Sequence, residues 1–328
     1  MKKIPILYLV GAILPLFLYS DAQPQYQEGP SKAVSPQYVG LPWLTGTLLT
    51  FSENVAPYKG WNIEPYLSFG AQYGRYDKHW NNHSLSHPFY SVLSTTYIQY
   101  GIAKNIDIQI VPQFAWNHTK GASQWTLGDL GVTFDFQLLY MKKERWWPSV
   151  KLFLSASAPL GKYQKLQPQK KGTDRGGTGS INPSAAIALG RIFQFSDVRF
   201  LRGRAFFSYT VPNAVHVKGL NVYGGGKETR GVVYPGSSSI GVVGFEYTFN
   251  PYWVISLDIE YDHINKQHFK GNTHDSMKAP SSEAWSLAPA IEYDWNATIG
   301  IISGIWFSAA GRNSPAFANW LTAVNVNF

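Results

Sequence analysis

The sequence predicts an all-β chain that closes into a transmembrane, antiparallel, up-and-down β-barrel of about twelve strands. Three observations carry this reading. Apolar residues recur with period two from Trp61 to the C-terminus. The connections between these segments alternate long and short. No run beyond the N-terminus is apolar long enough to make a spanning helix.

Composition agrees. Aromatic residues make up 16% of the 328 residues and charged residues only 15%, against roughly a quarter in soluble domains. An ordinary soluble β-protein is not excluded by composition alone. Cysteine is absent, which removes disulfides, thiolate metal sites and cysteine nucleophiles. Closure of a barrel supplies stability another way, by pairing every strand edge.

The chain opens with a leader pattern. Lys2 and Lys3 precede an apolar stretch over 4–19, and Ser20-Asp21-Ala22 gives a small-x-small site before Gln23. This predicts a cleavable secretory signal over 1–22 rather than a retained helix, because the stretch is short and holds Pro5 and Pro15. Without that leader the chain keeps 26 basic and 19 acidic residues, a charge of +7. The bases are scattered, which disfavours a nucleic-acid surface and suits anionic headgroups or a mildly anion-preferring pore. Residues 23–60 are irregular, with an apolar patch from Trp43 to Phe51, and read as a periplasmic lead-in or a lumen insert.

The barrel then follows over 61–328. Alternation predicts strands at 61–73, 89–101, 106–117, 128–141, 149–158, 180–193, 198–210, 237–249, 253–264, 283–293, 298–310 and 316–328. In one of them Ile255, Leu257, Ile259 and Tyr261 alternate with Ser256, Asp258 and Glu260. The bulky faces often end in aromatics, as at Tyr140, Trp116, Phe249 and Trp295. Interfacial girdles have this form. The opposite faces carry Gly, Ser, Thr, Gln and single charges, as a wet lumen would. Long connections at 74–88, 118–127, 159–179, 211–236 and 265–282 fall outside the cell, and short ones face the periplasm. The last strand alternates Trp320, Thr322, Val324 and Val326 and ends on Phe328. An apolar final strand with a terminal Phe predicts a signal for the barrel assembly machinery.

Several stretches resemble a family of outer-membrane transporters named for an association with meta-pathway phenol degradation. They are Gly128-Asp129-Leu130-Gly131, the SASAPLG run from Ser155 to Gly161, and the GTGSINPSAAIALGRIF run from Gly177 to Phe193. Residues 42–66, with GTLL and NIEPY, are similar to the N-terminal region of the same group. The resemblance implies a bacterial outer-membrane location and passive transport. It carries no catalytic motif.

The chemistry-bearing residues are few. All eight histidines fall in or beside expected outer loops. His79, His83 and His87 have helical spacing, but the surrounding Asn, Ser and Pro disfavour a helix, and no metal or other cofactor is expected. Asp262-His263 and His274-Asp275-Ser276 hold the residue types of a hydrolase without a third group in register. No catalytic residue is therefore assigned, and an outer-membrane lipid hydrolase stands as the alternative. The alternation instead turns ten charged residues inward: Glu64, Asp107, Asp135, Lys151, Arg202, Arg204, Glu246, Asp258, Glu260 and Glu292. They form either a salt-bridged network that stiffens the lumen or a constriction that selects a solute. Lys162, Lys165, Lys170, Lys171 and Arg175 lie on one outer loop, where they would meet lipopolysaccharide phosphates or only solvent. The expected partners are outer-membrane lipid and lipopolysaccharide, the assembly machinery and a small solute, hydrophobic or aromatic, or else anionic. The expected function is a narrow porin-like channel, with a surface structural or adhesion barrel as a further alternative.

Overall fold

The computed structural model describes residues 44–142, 145–274, 277 and 279–328. The leader, its cleavage site and Trp43 lie outside the described residues. The strands are β1 (Trp61–Tyr76), β2 (Asn82–Ala103), β3 (Ile106–Val111), β4 (Gln113–Thr119), β5 (Ala122–Leu127), β6 (Leu130–Leu139), β7 (Ser149–Ala158), β8 (Ser184–Gln194) and β9 (Phe200–Thr210). They continue as β10 (Val215–Lys218), β11 (Arg230–Tyr234), β12 (Ser238–Thr248), β13 (Trp253–Ile264), β14 (His268–Asn272), β15 (Ser282–Asp294), β16 (Ile299–Arg312) and β17 (Pro315–Asn327).

One antiparallel sheet runs through all of these except β10, β11 and β14, and the β1–β2 and β1–β17 pairings close it. It makes twelve spans, because two of them are each broken in the middle. Pro112, which has no N–H to give the ladder, separates β3 from β4. Gly128-Asp129 separates β5 from β6 at the facing position, where Gly128 N donates to Gln113 O at 2.9 Å. The seam is finished by the last residue. Phe328 N donates to Trp61 O at 2.9 Å, and Trp61 N donates to Phe328 O at 3.2 Å.

The bulky faces point outward. Leu67, Phe134, Leu154, Phe207, Val243, Phe245, Ile255, Leu257, Ile291 and Ile305 are exposed around the whole circumference. A continuous apolar belt of this extent suits a hydrocarbon solvent, since soluble monomers rarely expose more than a few hundred Å² of contiguous apolar surface. Aromatics crowd the end with short turns: Trp61 meets Tyr100, and Tyr293 meets both Trp253 and Trp295, with ring centroids 4.5, 4.7 and 5.3 Å apart.

The long connections differ from the expected open loops. β1 and β2 continue into 74–88, leaving only 77–81 as the turn. The stretch 118–127 is the end of a β4–β5 hairpin that turns at Lys120-Gly121, where φ is 50° and 74°. Residues 211–236 and 265–282 hold β10, β11 and β14, which pair as a separate three-stranded sheet. Val215, Val217 and Val233 of that sheet bury themselves with Met277 against Tyr163, Tyr223 and Phe269. The reason is visible in β10, where Val215 and Val217 alternate with His216 and Lys218, so the loops carry a small amphipathic sheet of their own.

Candidate functional site: the barrel interior

Period-two geometry sends every second side chain inward. All ten charged residues expected there are buried, at 4% exposure or less. They do not act as one network. They divide by height along the barrel and by what they meet.

At the end with short turns the partner is an irregular segment of the chain itself. Residues 44–53, 55 and 56 are buried, and 44–56 run inside the barrel. Having no sheet to pair with, this backbone is satisfied by inward carboxylates. Thr45 N and Gly46 N donate to Glu292 Oε2 at 3.1 and 3.3 Å, and the Thr45 hydroxyl donates to Asp294. Leu49 N and the Thr50 hydroxyl donate to the two oxygens of Asp258. Ala56 N donates to Asp107, which also accepts from Gln99 Nε2. Val55 N donates to Gln137 Oε1 at 2.8 Å.

Two ion pairs anchor the same segment. Glu53 Oε2 lies 2.7 Å from Arg202 Nη2 and 3.6 Å from Arg204 Nε. Both arginines also meet Glu246, at 3.3 and 3.2 Å. Lys151 Nζ sits 3.2 Å from Asp135 and 3.1 Å from Asn54 O. Close approach is bought by glycine: a Cβ at Gly190 would strike the Glu53 carboxyl carbon at 2.3 Å, and one at Gly300 would strike the Thr45 hydroxyl at 1.9 Å.

Above this charged layer the interior holds an apolar cluster. Tyr66, Tyr97, Phe153, Phe206, Ile240, Val242, Ile302, Trp306, Phe317 and Leu321 form one buried cluster with Leu48, Leu49 and Phe51 of the inner segment. Phe51 stacks on Phe206 at 4.3 Å and meets Phe153 edge-on at 5.2 Å. This layer departs from the uniformly polar lumen expected from alternation. The departure is legible in Phe206-Phe207 and Trp306-Phe307, because adjacent bulky residues in a strand must take opposite faces.

The mouth opposite the short turns is narrowed by the 159–183 connection. Asp129 accepts from Gly161 N at 3.0 Å and from the backbone N and hydroxyl of Thr178 at 2.7 and 2.8 Å. Asn117 Nδ2 donates to the carbonyls of Thr173 and Arg175. Arg175 is buried with its guanidinium 4.7 Å from the Phe89 ring, and burial pushes its pKa down to about 10. Of the basic loop residues expected at the surface, Arg175 is therefore turned in. Lys162 pairs with Asp174 at 2.6 Å. Lys165, Lys170 and Lys171 carry no carboxylate pairing within 4.0 Å among the described residues.

The histidines hold no metal arrangement, and among the described residues no group of three or more His, Cys, Asp or Glu side chains has metal-binding geometry. His83 instead bonds Asp77 at 2.9 Å and holds that carboxyl well below the usual range. His263 faces outward with Nδ1 3.5 Å from Glu283 and Nε2 3.4 Å from Asn265. Both ring nitrogens meet these groups and not a hydroxyl nucleophile. The Asp275 and Ser276 positions lie outside the described residues.

Comparison with known proteins gives the fold its context. No family model matches the chain, and no curated protein matches it. Among solved structures, the COG4313 outer membrane channel from Pseudomonas putida F1 superposes with a TM-score of 0.67 at 10% identity, over 84% of this chain and 98% of that one. The two chains share one fold, a closed antiparallel β-barrel. A KdgM porin is matched with a TM-score of 0.38 at 9% identity over 81% of this chain and 99% of that one. The CymD monoaromatic hydrocarbon channel is matched with a TM-score of 0.36 at 9% identity over 82% of this chain and 88% of that one. The closed antiparallel barrel expected from the sequence agrees with the superposition on the COG4313 channel.

Proposed function

We propose that the chain is a bacterial outer-membrane channel for a small, largely apolar solute, with residues 44–56 narrowing its periplasmic end. The observation that carries this reading is the apolar layer inside the barrel. A water-filled pore for sugars or ions gains nothing from burying Phe153, Phe206, Trp306 and Phe317 in its lumen, whereas a desolvated solute exchanges one apolar contact for another there. The anionic solute class loses its basis, because the inward charges of the strands are mostly acidic and the inward bases of the strands are already paired with acids. A hydrolytic role draws no support from the His263 contacts described above.

Uptake into proteoliposomes tests the reading. Refolded protein should speed entry of naphthalene over empty vesicles and leave glucose entry near the background rate. Equal acceleration of both solutes would replace the proposal with a general diffusion pore. The reading also requires export, with cleavage after Ala22, so that sequencing of the chain from outer membranes starts at Gln23.

A further inference from the structure

The carboxylates of the lumen are not equally provided for. Asp107, Asp135, Glu246, Asp258, Glu292 and Asp294 are each met by a base or by a donor of the inner segment. The hydrogen bonds of that segment to β13 end at Asp258. The next two inward positions of β13 are Glu260 and Asp262, carboxylates about 7 Å apart along one strand face. Both are buried, at 4% and 5% exposure. Neither forms an ion pair among the described residues. Glu260 accepts one hydrogen bond, from the Ser286 hydroxyl at 3.2 Å. Asp262 Oδ1 is buried with no partner.

Their surroundings are apolar and aromatic. Across the β12 ladder Glu260 faces Val242 and Asp262 faces Ile240. Across β15 they face Ser286 and Ala284. Trp306 donates its indole N–H to Ser286 at 2.8 Å, which places its ring beside Glu260, and Phe317 packs edge-on to that ring at 4.8 Å. Two carboxylates in an apolar wall, neither facing a base, stay ionised there only with a cation beside them.

We infer that Glu260 and Asp262 form a subsite for the cationic head of a solute whose apolar body lies against Trp306 and Val242. The solute class is then a small organic amine, protonated at neutral pH. An ammonium supplies three donors for the two carboxylates, and the adjacent aromatic face adds attraction for a cation. This inference rests on the reading of the apolar lumen as a solute path, and it names the charge that such a solute carries.

Isothermal titration of the refolded full-length protein with hexylamine, hexanol and hexanoate separates the two ideas. The three probes share one chain and differ in charge. Hexylamine should bind at least tenfold more tightly than hexanol, and hexanoate should bind most weakly. The double variant Glu260→Gln with Asp262→Asn should bring hexylamine down to the hexanol level. Hexanol and hexylamine binding alike, or a preference untouched by the substitutions, overturns the amine subsite while leaving the apolar path standing. Binding by none of the three overturns both. Asp262→Asn alone keeps the test readable if the double variant does not fold, because it changes an oxygen that bonds nothing.

Discussion

Leu257 and Ser256 are neighbours with opposite fates, Leu257 outside and exposed, Ser256 inside and buried. The same division held for every inward charge read from alternation, because a period of two leaves a strand residue only two directions. It missed Glu53, which sits on an irregular segment where no period exists to orient it. It also missed Asp262 and Asp294, although Asp262 follows Asp258 and Glu260 at the same spacing. Depth in the membrane is the property that alternation cannot supply and that substitution can read. Leu257 lies mid-strand in β13, while Trp253 begins it beside the short turn. Leu257→Arg should cost about 2–4 kcal/mol and Trp253→Arg about 0–1 kcal/mol, as charge placed at the bilayer midplane or the interface does. Urea titration of the protein folded into vesicles measures both. Equal costs at the two sites would remove the barrel from the membrane.

β17 shows what an element contributes beyond its contacts. Its backbone pairs with β1 from Asn62↔Asn327 to Arg75↔Pro315 and with β16 on its other side, so it closes the barrel. Phe328 sits just past it and is 68% exposed, so its ring packs against little. Phe328→Ala, which keeps both backbone hydrogen bonds to Trp61, should therefore leave thermal stability of the refolded barrel nearly unchanged while cutting surface assembly several-fold in cells. Normal surface levels would refute a recognition role for the terminal aromatic. The strands and their order were legible because each carries a strong alternating pattern between turn residues. The outer sheet of β10, β11 and β14 was not, since strands of four or five residues give too few repeats to separate a period from chance. The inner segment was legible as an apolar patch in a stretch read as either a periplasmic lead-in or a lumen insert. Its place follows from hydrogen bonds to residues as much as 249 positions away in sequence, as from Thr45 to Asp294.

At the scale of the whole molecule, charge is sorted between inside and outside. The chain has a formal charge of +8, yet the strand residues buried in the lumen include Glu64, Asp107, Asp135, Glu246, Asp258, Glu260, Asp262, Glu292 and Asp294 against Lys151, Arg202 and Arg204. Net charge therefore misdirects any guess about the pore, because the field a solute meets is set by the nearby wall and screened beyond about 10 Å. The inner segment hides much of this acidity by donating backbone N–H groups to Asp107, Asp258 and Glu292. Deleting residues 44–56 should strip those donors, widen the lumen and expose the acidic wall. In planar bilayers under a potassium chloride gradient, the deletion variant should conduct several-fold more than the full chain. Its reversal potential should take the sign of cation selectivity, and the preference should shrink as salt rises and screening shortens. An anion-selective or unselective current from that variant would contradict the charge sorting, because removal of the segment takes away Glu53 alone among the acids and leaves every inward base in place.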